Sequence, residues 1–202
     1  MKIRYNPFPR VVLDGLTKLG IKIDPYYVFR EGLFDGVLPP LKVRQDEYEL
    51  GFLGPEDMKV IASIPFREFS HEQLMTRLKE GKMCFGAKQR ERLAAFTWCD
   101  VEECNCEGLR FQLKDDEAYL FDAHTMDSFR GKGIAPYLRY QLYKKLAKLG
   151  RTKLYSISIR FNAPSLKFKE KLNAKLIGSG LFIELFHRWH FSSISEKDIM
   201  RD

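Results

Sequence analysis

The stretch Arg130-Gly131-Lys132-Gly133-Ile134-Ala135 sets two glycines around a lysine, directly ahead of a segment with helical periodicity. A helix leaves its first backbone N–H groups unpaired and pointing one way, at the positive end of its dipole. Gly131 and Gly133 let the chain take conformations closed to other residues and let an anion approach with no Cβ in the way, while Arg130 and Lys132 add charge. Such a turn suits a phosphate, although a plain strand-to-helix turn with solvated charges uses the same residue types. Just upstream, Asp122 and His124 interrupt the apolar run "AYLFDAHTM". Strand alternation would put both on one face, where a polar pair serves either proton transfer or hydrogen bonding within the sheet.

Each of these groups needs an element to hold it. "AYLFDAHTM" reads as a buried strand leading into the glycine turn. Beyond the turn, Ile134, Leu138, Leu142, Leu146 and Leu149 recur at helical spacing. Lys132, Arg139, Lys144, Lys145 and Lys148 fall largely elsewhere, so the helix has one core face and one basic face. "KLYSISIRF" is a strand, "APSLKFKEKL" a short helix and "AKLIGSGLFIELF" a closing strand broken by Gly178 and Gly180. Upstream lie a strand, "YELGFL", and a helix with Pro55 at its first position. A second helix there has Ser70 and Gln73 as its capping box, and "KMCFGAKQRERLAAFTWCDV" reads as a β-hairpin. "EECNCEGLRFQLKDDE" is a polar excursion. Hairpins first and strand-helix-strand crossovers later predict an α/β fold, a three-layer sandwich around a mixed sheet. Residues 1–45, with the aromatic run "PYYVFRE", read as an N-terminal extension that packs over the acceptor side. Residues 46–191 read as the domain, and 192–202 as a polar tail.

Composition narrows the setting. With 45% hydrophobic and 30% charged residues the chain is ordinary globular protein, and no apolar run suits an export signal or a bilayer span, so a cytoplasmic protein is expected. Cys84, Cys99, Cys104 and Cys106 are then expected as free thiols. The spacing of the last three lacks the paired knuckles of a zinc site, even with His124 added, so no metal is expected. His187 and His190 flank Trp189 and suit packing or the rim of an acceptor site better than metal ligation. A net charge of +7 favours an anionic partner without naming it.

The glycine turn matches the R/Q-x-x-G-x-G/A signature of the GNAT superfamily of N-acetyltransferases, and "NAPSLKFKEKLNAKLIG", from Asn162, resembles that family's second motif. The resemblance implies a GNAT-like α/β/α sandwich with a central mixed, splayed sheet and acetyl-CoA as cosubstrate. The amides of Arg130, Gly131, Lys132, Gly133, Ile134 and Ala135 would hold its pyrophosphate. Backbone groups near Ala123 and Thr125 would meet the pantetheine arm, with Asn162 and Ser165 beside it. Lys167, Lys169 and Lys171 would either reach the 3′-phosphate or form a solvated face. The other implied partner is a small-molecule primary amine; neither membrane nor nucleic acid is expected, and a homodimer is left open. A non-catalytic basic protein that binds CoA or nucleic acid on the same scaffold is the alternative.

Chemistry ranks the catalytic needs of such an enzyme. An amine of pKa about 10.4 costs roughly 4.6 kcal/mol to deprotonate at pH 7, whereas a thiol of pKa about 8.5 costs roughly 2 kcal/mol to leave as its anion. A base matters more than an acid, which nominates Asp122 or His124. The family's usual tyrosine acid falls on Lys169 here, with Tyr137 and Tyr155 nearby in sequence but better suited to the core.

Overall fold

The computed structural model describes residues 15–32, 44–65, 67, 69–106, 109–186 and 188–193. Most of the polar tail, His187, and the beginning of the extension therefore lie outside the described residues. Helix α1 (Pro55–Ala62) starts on Gly54, whose N–H donates to the Asp57 carboxylate at 3.1 Å. Helix α2 (His71–Lys79) starts on the expected capping box: Gln73 N–H donates to Ser70 Oγ at 3.2 Å, and Ser70 N–H to Gln73 Oε1 at 2.8 Å. Strands β3 (Met83–Gln89) and β4 (Arg92–Asp100) form the expected hairpin, turning on Arg90 and Glu91, both at positive φ.

One eight-stranded sheet runs in the order β10, β9, β1, β8, β7, β4, β3, β2. Its remaining members are β1 (Ile21–Glu31), β2 (Glu49–Phe52), β7 (Glu117–Thr125), β8 (Lys153–Ile159), β9 (Lys175–Leu185) and β10 (Trp189–Ser192). Among the described residues only β7 and β8 pair in parallel. Helix α3 (Ile134–Lys148) packs on one face, burying Ile134, Leu138, Leu142 and Leu146 against Phe85, Ala95 and Leu120, with α4 (Ala163–Lys171) on the same side. On the other face α1 and α2 bury Met58, Ile61 and Leu74 against Cys84, Phe96 and Trp98. The supposed polar excursion is a hairpin, β5 (Glu103–Cys106) and β6 (Leu109–Gln112). Its Cys104, Leu109 and Phe111 alternate onto Tyr26, Tyr119 and Tyr155 while the polar residues between them face out.

Three expectations change. Ile21–Glu31 is no appendage over an acceptor face: β1 lies between β8 and β9, paired with both, and Tyr26, Val28 and Phe29 are at most 2% exposed. Its apolar run suits a strand covered on both faces. Gly178 and Gly180 do not break β9, because the β1 ladder carries the strand through them with one register shift at Val28/Phe29. Arg139 and Lys169, both read as surface cations, are buried at 1% and 2% exposure.

The last two turn inward to meet Glu31. Lys169 Nζ bonds the Glu31 carboxylate and, at 2.6 Å, Ser156 Oγ; Tyr143 O–H donates to the other Glu31 oxygen, and Arg139 Nε lies 3.6 Å from it. Burial alone would raise the Glu31 pKa, but Arg139 and Lys169 outweigh it and hold the carboxyl at about 2. Burial pulls the Lys169 ammonium the other way, downward, against the Glu31 charge. The cluster ties the N-terminal strand to both helices of one face.

Candidate active site

Strands β7 and β8 run together only from Glu117↔Lys153 to Tyr119↔Tyr155. Beyond those pairs each continues with its other neighbour, β7 with β4 as far as Thr125 and β8 with β1 as far as Ile159. The two middle strands therefore part, and β7 from Leu120 onward offers its edge to the cleft between them. β7 leads, through a single 3-10 turn at Asp127–Phe129, into the glycine turn. Gly131 and Gly133 both sit at φ 79, where a Cβ is unfavourable, and Gly133 is the N-cap of α3. Among the described residues, no backbone acceptor meets the N–H groups of Gly131, Lys132, Gly133 or Ile134. A Cβ built on Gly131 would meet nothing within 4 Å, so the space beside it is open. Arg130 is fastened at the rim, its Nε donating to Thr125 O at 3.3 Å and its Nη2 lying 2.8 Å from Asp127 Oδ1.

A β-bulge shapes the catalytic candidates. Trp98 pairs with Phe121 and Phe96 with His124, so Asp122 and Ala123 together oppose the single residue Thr97. Asp122 takes φ 46, a left-handed conformation that aspartate tolerates better than most. The extra residue changes the face of everything after it, which brings His124 onto the α1/α2 side with Asp122. Alternation alone would have separated this pair from Phe121 and Trp98. Ala123 is exposed and Thr125 half-buried.

Asp122 is held by two guanidiniums. Arg67, from the loop between α1 and α2, donates through Nη2 to both carboxylate oxygens at 2.7 Å, and Arg77 of α2 donates through Nη1 to Oδ2 at 2.7 Å. The guanidiniums lie against aromatic rings: Arg67 is 5.0 Å from the Phe96 centroid and Arg77 is 3.9 Å from that of Phe69. Sequence reasoning missed both arginines, which carry no motif spacing; a signal was present in the aromatics flanking Arg67. His124 lies 5.7 Å from Phe96, ring to ring. Burial, then Arg67 and Arg130, hold its pKa below 6.5, against the opposing pull of Asp122 and Asp127. The imidazole is therefore unprotonated at neutral pH.

The second motif is engaged within the fold. Asn162 caps α4, its Oδ1 accepting from Ser165 N–H at 3.1 Å, and Ser165 Oγ pairs with Ser158 Oγ at 2.8 Å. Tyr155 O–H donates to Glu117 Oε1 at 3.3 Å, with its pKa pushed up to about 12 by burial and by Glu117, and Tyr137 is buried. Neither tyrosine is placed as an acid. Burial likewise raises the Cys84 and Cys104 thiols, and Cys99 to about 12. Among the described residues no group of His, Cys, Asp and Glu is disposed to hold a metal ion, and no helix is long and apolar enough to cross a membrane.

Solved structures share the fold. The chain is similar to an acetyltransferase from the GNAT family of Colwellia psychrerythraea, with TM-score 0.59 and 17% identity over 82% of this chain and 57% of that one. It is similar to a putative GNAT acetyltransferase from Novosphingobium aromaticivorans, with TM-score 0.55 and 19% identity over 82% and 66%. It also resembles the ribosomal-protein-S18-alanine N-acetyltransferase of Escherichia coli, with TM-score 0.51 and 21% identity over 62% and 76%. The fold is that of the GNAT acetyltransferases. Within that fold β1 is an interior strand of the sheet. The chain spans less than two thirds of the length of the first two of these structures. No family model matches the sequence, nor does any curated protein.

Proposed function

We propose that this chain is an N-acetyltransferase that moves an acetyl group from acetyl-CoA to a primary amine. The observation that carries the reading is the junction of the parted β7/β8 edge with the unpartnered amides of Gly131 to Ile134. Extended peptide edge suits the amides of a pantetheine arm, and a helix start with bare N–H groups suits its pyrophosphate. The open space at Gly131 passes the test of fit, since a side chain there would occupy the approach. Acetyl-CoA, when bound, supplies an acyl thioester with a good leaving thiol.

The protein's residues do the rest. The amides of Gly131 to Ala135 bind phosphate, with Lys132 supplying charge, whereas the Arg130 N–H, expected among them, is already taken by Asp127 O at 3.2 Å; the backbone at Ala123 and Thr125 receives the arm. Asn162 and Ser165 act from their places in the α4 cap, shaping the cleft wall through Ser158. His124 is the base: it lies on the bulged strand at the cleft, is neutral at pH 7, and takes the amine's proton directly or through water. Asp122 positions Arg67 and Arg77 rather than moving a proton. Lys169 is neither the acid nor a phosphate contact, because Glu31 and Ser156 hold it inside the core. The leaving thiolate needs no protein acid at neutral pH.

Calorimetric titration with acetyl-CoA, followed by thiol release over an amine panel, tests this. Binding that tolerates Gly133→Val would overturn the assignment. Binding of nucleic acid that weakens steeply with salt, without thiol release from any amine, would favour the non-catalytic alternative.

A further inference from the structure

Around the bulge the described residues carry an excess of positive charge and buried donors with nothing to bond. Arg67 and Arg77 bring two guanidiniums to one carboxylate, Asp122, while His124 is neutral. The two side chains are 12% and 17% exposed, too buried for solvent to screen fully. Their aromatic bed, made of Phe69, Phe96, Trp98 and Phe121, supplies face but no anion. Within this one layer, Arg67 Nε and Trp98 Nε1 are buried without an acceptor. A buried donor left unpaired costs about 1–3 kcal/mol, so two in one cationic layer mark a place where an acceptor atom belongs.

We infer that the acceptor amine bears a carboxylate, read by Arg67 and Arg77 beside the bulge, with Trp98 Nε1 as a further donor. Arg67 and Arg77 are specificity-determining residues for that acceptor. The inference rests on the acetyltransferase reading of the same site. Arginine's planar fork fits a carboxylate, and each guanidinium retains N–H groups beyond those that serve Asp122. The same positive field favours the neutral form of an incoming amine, as it does that of His124, and so lightens the demand on the base. In the transfer, the amine nitrogen forms a bond to the acyl carbon, the carbon–sulfur bond breaks, and the amine's proton passes to His124. The acceptor's carboxylate keeps its negative charge through these steps and only orients the amine.

The test uses the full chain and compounds matched except at the carboxyl. Glycine, leucine, phenylalanine and glutamate are each compared with their own C-terminal amides in the thiol-release assay. Free carboxylates should be preferred by at least about tenfold in kcat/KM, the worth of one hydrogen bond to a charged group. Arg77→Gln should abolish most of that preference, and Arg77→Lys should restore part of it. In parallel, the Trp98 indole N–H resonance should shift on adding the N-acetyl amino acids and not on adding their amides. It is one of only two tryptophan indoles in the chain. Amides used as well as acids, or an indole signal indifferent to every carboxylate, would overturn the inference while leaving the transferase reading intact. Absence of both acetyl-CoA binding and thiol release would overturn that reading itself.

Discussion

Replacing Glu31 with Gln should cost far more than the loss of one ion pair at a surface. Glu31 is 0% exposed and faces two buried cations, Lys169 and Arg139, together with the Tyr143 hydroxyl. The amide keeps the shape and removes the only negative charge in that cluster, so two cations remain in a medium that does not solvate them. Breaking a buried pair from one side costs about 3–5 kcal/mol. For a domain of this size that lowers Tm by roughly 6–20 °C. Adding Lys169→Met should return part of the loss, since it removes one of the stranded charges, so the pair should be strongly non-additive. A second signature follows from the proton. The folded carboxyl, at about 2, lies below its ordinary 4.5, so its contribution is present above pH 4.5 and lost as pH falls towards 2. That difference corresponds to about 3 kcal/mol, and the acid limb should flatten in Glu31→Gln. Denaturant unfolding at several pH values, on both single variants and the double, measures all of this. A loss below about 1 kcal/mol, or additive costs in the double variant, would refute the claim that unpaired buried charge sets the penalty.

Deleting residues 1–31 should abolish cooperative folding rather than merely alter acceptor choice, because it strips β8 and β9 of their shared partner; a cooperative melt of the truncated protein would refute it. Gly133→Val should strain the φ 79 cap by about 1–2 kcal/mol and remove acetyl-CoA binding by calorimetry while near-native circular dichroism persists. The acid limb of kcat/KM should lie below pH 6.5 and vanish in His124→Gln. In Asp122→Asn that limb should move lower, since Asp122 is one of the groups that raise the His124 pKa; an unchanged limb in both variants would exclude His124 as the base.

Local rules wrote much of this molecule into the sequence. The Ser70/Gln73 box, the β3/β4 hairpin, the Ile134–Leu146 stripe and the glycine turn depend on residues close in sequence, so their types and spacing determined them. The parting of β7 and β8 was expected only through the resemblance to the GNAT superfamily, and the short β7/β8 ladder bears it out. What the sequence could not decide was pairing across distance. Lys169 and Arg139 have the spacing of surface cations, and only Glu31, over a hundred residues away, makes them core residues. The aromatic run around Tyr26 fits a surface strap as well as an interior strand until the gap between β8 and β9 is seen. One inserted residue at the Asp122 bulge turned His124 to the α1/α2 face, and Arg67 and Arg77 reached that face from outside the strand. Burial and charge pairing depend on which distant segments meet, and that is decided only when the sheet closes.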